Sequence, residues 1–151
     1  MQEPAGPPVK RRPQVVSSWT DGEYSRSPVG AMGMTFFMDP PAPGAGGPCV
    51  FIVKFPPNYQ VPPHKHGSDY FSVVLEGEVT VTGKRFTVGH VRFIRESAGY
   101  GPLTYGPQGC TVLEVFASVD GVPAQPLRES DRPRFIEISE ELRFSTERLE
   151  G

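Results

Sequence analysis

Glycine and proline set the limits on what this chain can fold into. Its 151 residues include 17 glycines and 18 prolines, and between Cys49 and Ala117 these cut the sequence into short apolar runs. Neither residue suits a helix interior, because glycine loses the most backbone entropy and proline lacks an N–H and clashes with the preceding turn. Cys49–Phe55 is apolar except for Lys54 and stops at Pro56-Pro57-Asn58. Residues 72–75 run into Glu76-Gly77, Val91–Ile94 follows a turn at Gly89-His90, and residues 111–117 are apolar except for Glu114. Residues 79–82 and 85–88 read as a hairpin closed by Gly83-Lys84. Glycine first in a two-residue loop suits a type II′ turn, which places Val79, Val81, Phe86 and Val88 on one face. Short strands at this spacing predict an all-β sandwich or barrel.

The flanks differ from this middle. Residues 1–14 are Pro-rich and polar, with Lys10-Arg11-Arg12 near their end, and read as a flexible leader before a single domain over residues 15–151. Met32–Met38 reads as a strand entered through Gly30 and Gly33, and residues 40–48 as a loop. Beyond Val119 the chain becomes polar. Phe135-Ile136-Glu137-Ile138 alternates like a strand, and Ser139 with Glu140 and Glu141 predicts the cap of a short helix bearing Leu142 and Leu149.

Composition excludes several functions. A net charge of −2, from 15 basic and 17 acidic residues, leaves no nucleic-acid footprint. No run approaches the ~20 apolar residues of a membrane span, and the basic cluster at residues 10–12 is not followed by the apolar stretch of a signal peptide. Cys49 and Cys110 each sit in an apolar run, which points to two buried thiols in a reducing compartment and hence a cytoplasmic protein.

Chemistry concentrates at Pro62-Pro63-His64-Lys65-His66-Gly67-Ser68-Asp69-Tyr70. In a strand, residues i and i+2 share a face, so His64 and His66 point the same way and could grip Zn, Cu, Fe or Ni. Continuing that face gives Tyr70, Ser72 and Val74 as inward residues, with Phe71, Val73 and Leu75 outward. Tyr100, Tyr105 and Glu114 are further candidates for the same lining. His90 reads as an exposed turn residue.

These residues resemble the cupin family, small double-stranded β-helix (jelly-roll) barrels, over about residues 49–119. The His64-Lys65-His66 pair and Gly77 in Leu75-Glu76-Gly77-Glu78 match the family's first motif, with Asn58 where its opening glycine belongs and Tyr70 in the place of its glutamate. Gly89 opens the second motif, in which Arg95 and Ser97 replace a proline and a glycine and Tyr100 replaces the histidine. The resemblance implies a cavity that handles a small organic molecule, and a homodimer built through segments such as Met32–Met38 and residues 135–138. It also implies one divalent transition metal (Fe, Mn, Zn, Ni or Cu) on His64 and His66, with Asp69 supplying a carboxylate if a bulge turns it inward. The two tyrosines argue equally for no metal. The expected function is an enzyme, either metal-assisted and dioxygenase-like or an isomerase, cyclase or lyase using His64, His66, Tyr70 and Tyr100 as acids and bases. The alternative is a non-catalytic ligand-binding or sensing cupin that has lost its metal site.

Overall fold

A computed structural model describes residues 13–14, 16, 18–38 and 47–143. Most of the expected leader, residues 40–46 of the Pro-rich loop, and Leu149 lie outside the described residues. The strands are β1 (Ser25–Arg26), β2 (Met32–Met38), β3 (Cys49–Phe55), β4 (Gln60–Val61), β5 (His64–Lys65), β6 (Tyr70–Val81), β7 (Lys84–Thr87), β8 (Val91–Ile94), β9 (Leu103–Phe116) and β10 (Gln125–Pro126), followed by one helix, α1 (Arg132–Glu141). All pairings are antiparallel. The main sheet runs β1-β2-β3-β9-β6-β7, with β4 added against β9 and β8 against β6, while β5 pairs with β10. This is the all-β jelly-roll barrel that the sequence predicts, with a short C-terminal helix.

The barrel closes around side chains that alternate along its strands. On β6, Tyr70, Ser72 and Val74 are buried while Phe71 is 46% exposed, so the pleat sorts them as expected. Val53, Val74, Val79, Val112, Tyr105 and Leu103 share one apolar cluster; Cys49, Tyr70, Ile94 and Phe116 form a second. Both cysteines are buried and free.

Four details differ from the sequence reading. First, Glu76-Gly77 does not end a strand: β6 runs through it, and its register against β9 shifts between Val74 and Glu76 and again between Gly77 and Val79. Gly77 has φ +74, and a Cβ there would collide with the Gly109 carbonyl, so this bend accepts only glycine. Second, β9 starts well before residue 111, at Leu103, running through Gly106-Pro107-Gln108-Gly109. Third, the hairpin loop is Thr82-Gly83, not Gly83-Lys84. Both loop residues have positive φ (50 and 78), which makes it type I′, and Val81 pairs with Lys84 and Val79 with Phe86. Thr82 is held there because its hydroxyl accepts from the Gly101 N–H (3.0 Å) and donates to the Gly101 carbonyl (3.1 Å). Val88 falls in the next turn and is exposed.

Fourth, residues 135–138 are helical. Pro133 lies in the first turn of α1, where its fixed φ suits a helix start. Arg134 pairs with Glu137 (3.2 Å) and Glu141 (2.8 Å) along one side. Phe135, Ile138 and Leu142 then form a stripe at helical spacing that packs on the barrel, leaving Ile136 exposed. Ser139 does not cap a helix but sits inside this one, donating to the Phe135 carbonyl (3.0 Å). Of the apolar residues assigned to a dimer contact in this segment, Phe135 and Ile138 therefore face the chain's own core, and Ile136 is exposed. Among the described residues, no helix is long and apolar enough to cross a membrane.

Candidate active site

Inside the barrel is a cavity of about 430 Å³, walled by strands β3, β4, β5, β6, β8 and β9 and covered on one side by α1 and residues 122–124. Its lining is mainly apolar and aromatic, and its titratable side chains are His64, His66, Tyr70, Arg92, Tyr100, Tyr105 and Glu114. Of the residues singled out from the sequence, Ser72 also lines the cavity. Val74 is buried in the core cluster and does not reach it. His90 is exposed in its turn, where Nδ1 accepts from the Thr87 N–H (2.8 Å).

The histidines are set by their backbone. His64 is bridged to Tyr100 by two main-chain hydrogen bonds (2.9 and 3.0 Å), which join the strand carrying the pair to the loop carrying the tyrosine. Each ring has Nδ1 on a carbonyl oxygen, His64 on Pro62 and His66 on Val122, both at 2.9 Å. A carbonyl only accepts, so Nδ1 carries the proton in both rings and Nε2 is the lone-pair nitrogen. For His64 that nitrogen accepts from the Tyr100 hydroxyl at 3.1 Å. Tyr100 has one proton and gives it to His64, so Tyr70 is the donor in the short Tyr70–Tyr100 contact. The result is a one-way chain from Tyr70 to Tyr100 to His64. His66 Nε2 has no hydrogen-bond partner among the described residues.

Burial dominates the electrostatics. It lowers His64 to about 4, with the nearby His66 and Arg92 charges helping and the Pro62 carbonyl opposing. Burial also lowers His66, against the carbonyls of Val122 and Gly121. It pushes Tyr70, Tyr100 and Tyr105 well above the ordinary phenol value. Glu114 is raised to about 8 by burial, against a hydrogen bond from Ser72 and the charge of Arg92. Its Oε2 is buried without a hydrogen-bond partner.

Glu114, Ser72 and Arg92 form a row across three strands. Ser72 pairs with Glu114 on one side and with Arg92 on the other. The Arg92 guanidinium lies 4.9 Å from the centre of the Tyr100 ring and 5.4 Å from that of Phe86. Arg92 and the α1 wall escaped the sequence reading. The signal for Arg92 was a lone charge inside Val91–Ile94, but its direction depends on the β6–β8 register.

The donors present do not fit the divalent metal that the resemblance implies. Two of its four positions hold phenols that burial keeps protonated, and the Tyr100 hydroxyl already occupies His64 Nε2. Asp69 is not a carboxylate in waiting. No bulge displaces the start of β6, so Asp69 stays exposed and its Oδ1 accepts from the Glu96 N–H (2.7 Å). Among the described residues, no three His, Cys, Asp or Glu side chains gather where they could hold a metal ion.

Neither a family model nor a curated protein sequence matches the chain. Solved structures do. The polyketide cyclase RemF from Streptomyces resistomycificus matches at TM-score 0.60 and 22% identity, covering 80% of this chain and 89% of that one. An RmlC-like cupin from Shewanella frigidimarina matches at TM-score 0.52 and 20% identity, covering 76% and 92%. A chain from the complex of Rhodobacter sphaeroides SigE with the anti-sigma ChrR matches at TM-score 0.51 and 19% identity over 66% of this chain. There the chain spans about half (51%) of the matched chain's length.

Proposed function

The chain has the cupin fold, and from that premise we propose that it is an enzyme performing acid–base chemistry (isomerisation, cyclisation or elimination) on a small organic carbonyl compound held in the barrel. The observation that carries this reading is His66 Nε2: a lone-pair nitrogen of fixed tautomer, unpartnered, on a ring lining an apolar cavity. Its lowered pKa keeps it neutral and able to accept a proton at neutral pH.

His66 takes a proton from the carbon beside the substrate carbonyl, the C–H electron pair becomes a carbon–carbon π bond, and the carbonyl π pair moves onto the oxygen. The oxygen then needs a donor. The phenol protons of Tyr70 and Tyr100, expected from the sequence to serve there, are committed to one another and to His64. Glu114 is the better donor: with its pKa raised to about 8 it is mainly a neutral carboxyl near pH 7, and its side chain lines the cavity. The enolate is reprotonated at another carbon, attacks an internal electrophile, or expels a leaving group, according to the substrate.

The test is solvent deuterium exchange, followed by proton NMR, on a panel of enolisable aryl and cyclic ketones. Wild type is expected to accelerate exchange for at least one of them, and His66→Ala to lose on the order of 100-fold or more. Exchange as fast in His66→Ala as in wild type overturns the assignment. Ketones that bind wild type without exchanging overturn the enzyme reading in favour of a non-catalytic ligand-binding protein.

A further inference from the structure

Arg92 carries its charge into the cavity without an ion pair. It lines the cavity, yet among the described residues no carboxylate lies within ion-pair distance of it, whereas Arg85, Arg128, Arg132, Arg134 and Arg143 each have one. The one acidic side chain in the cavity wall is Glu114, separated from Arg92 across the sheet by Ser72. Its preference for the neutral form leaves the guanidinium uncompensated. The other groups facing it from the packed elements are neutral imidazoles and phenols. From α1 and the Leu142 that follows it the wall receives Phe135, Ile138, Ser139 and Leu142, and none of these carries charge. A half-buried cation stacked over aromatic faces, inside an apolar chamber with no counter-charge, is costly unless an anion joins it.

The wall beside it is aromatic. Tyr70 and Phe116 are stacked with their ring centres 4.4 Å apart and planes at 2°, and Phe51 stacks on the far side of Phe116 at 5.5 Å and 15°. Rings stacked on one another in this way have their faces covered and meet the cavity with their edges, and an edge-to-face contact suits an aromatic ring better than a sugar or an aliphatic chain. A volume of about 430 Å³ lies within the range of small-molecule sites.

We propose that Arg92 makes this cavity selective for an aromatic carboxylate, whose anionic group pairs with the guanidinium while its rings meet the edges of the aromatic side chains that line the cavity. The assignment deepens the catalytic reading by naming its substrate class, and rests on that reading only in taking the cavity as the ligand site. The carboxylate replaces water around Arg92 with a charge-assisted hydrogen bond in a low-dielectric chamber. The reacting carbonyl, elsewhere on the same ring system, is left to His66 and Glu114.

Calorimetric titration of the full chain at neutral pH compares 1-hydroxy-2-naphthoate with its uncharged carboxamide. Wild type is expected to bind the acid about 10–100-fold more tightly than the amide. Arg92→Gln should remove that preference while leaving the amide affinity unchanged, and Arg92→Lys, which keeps the charge but not the fork, should retain part of it. Equal binding of acid and amide by wild type, or no binding of the acid, overturns the proposal whether or not Arg92→Gln folds. Equal weakening of both probes in a folded Arg92→Gln also overturns it, since the side chain would then only pack. His66→Ala should keep the acid preference. Failure of ketone exchange with the preference intact therefore sinks catalysis alone, and intact exchange without the preference sinks the carboxylate alone.

Discussion

Glu114 gives the fold a pH dependence that can be worked out in advance. In the folded chain its pKa is raised from 4.5 to about 8, with burial the main cause. Between those values the unfolded chain has lost the proton and the folded chain keeps it, so stability falls as pH rises, by about 1.4 kcal/mol per unit. His64 works the other way. Its folded value of about 4 lies below the ordinary 6.5, so between them only the unfolded chain is protonated and stability rises with pH. His66, also lowered, adds to that rise. The opposing slopes of His64 and Glu114 largely offset one another up to pH 6.5. From there to pH 8 Glu114 acts alone over 1.5 units, which gives a loss of about 2 kcal/mol. For a chain of this size that is a fall in melting temperature of roughly 4–8 °C. Glu114→Gln keeps the shape and removes the proton, so its urea unfolding free energy should be flat between pH 6.5 and 8. Comparing each protein with itself at two pH values cancels any fixed packing cost of the glutamine. A wild type as stable at pH 8 as at pH 6.5, or a mutant that keeps the slope, refutes the account of Glu114 as a neutral carboxyl.

Two further outcomes follow from the geometry. Gly77→Ala puts a methyl group against the Gly109 carbonyl at a φ of +74, and urea unfolding should show a loss of about 2–4 kcal/mol; a loss within experimental error would mean that the bend can relax. Untagged protein should carry well under one equivalent of any transition metal and keep its melting temperature in chelator, because the lining offers two imidazoles and protonated phenols. Stoichiometric zinc with a raised melting temperature would contradict the donor analysis.

The architecture was legible because local rules agreed. The strand entering at Tyr70 alternates in and out as its residues suggest, and Asn58, standing where the motif has glycine, adopts φ 60. Ser97, also in a glycine's place, has φ 64. What could not be read depended on register or on too short a pattern. Phe135 to Ile138 is only four residues, over which a two-residue alternation and a helical stripe are hard to tell apart, and α1 is settled by its packing on the barrel. Whether Asp69 or Tyr70 faces inward turns on a bulge that the residues do not announce. Proton direction was equally hidden. It is fixed by two backbone carbonyls, Pro62 and Val122, and the latter lies 56 residues along the chain from His66.

The row Arg92–Ser72–Glu114 exists only while three strands keep one alignment. Both register shifts of β6 against β9 lie on the hairpin side of that row, between Val74 and Val79. Beyond Gly77, β6 therefore pairs with β9 in a different frame from the one that aligns the row. No such shift separates Tyr70 from Ser72, and a single residue inserted there turns Ser72 to the outside and breaks the row. The alignment of the row therefore rests on the short unbroken stretch from Tyr70 to Val74.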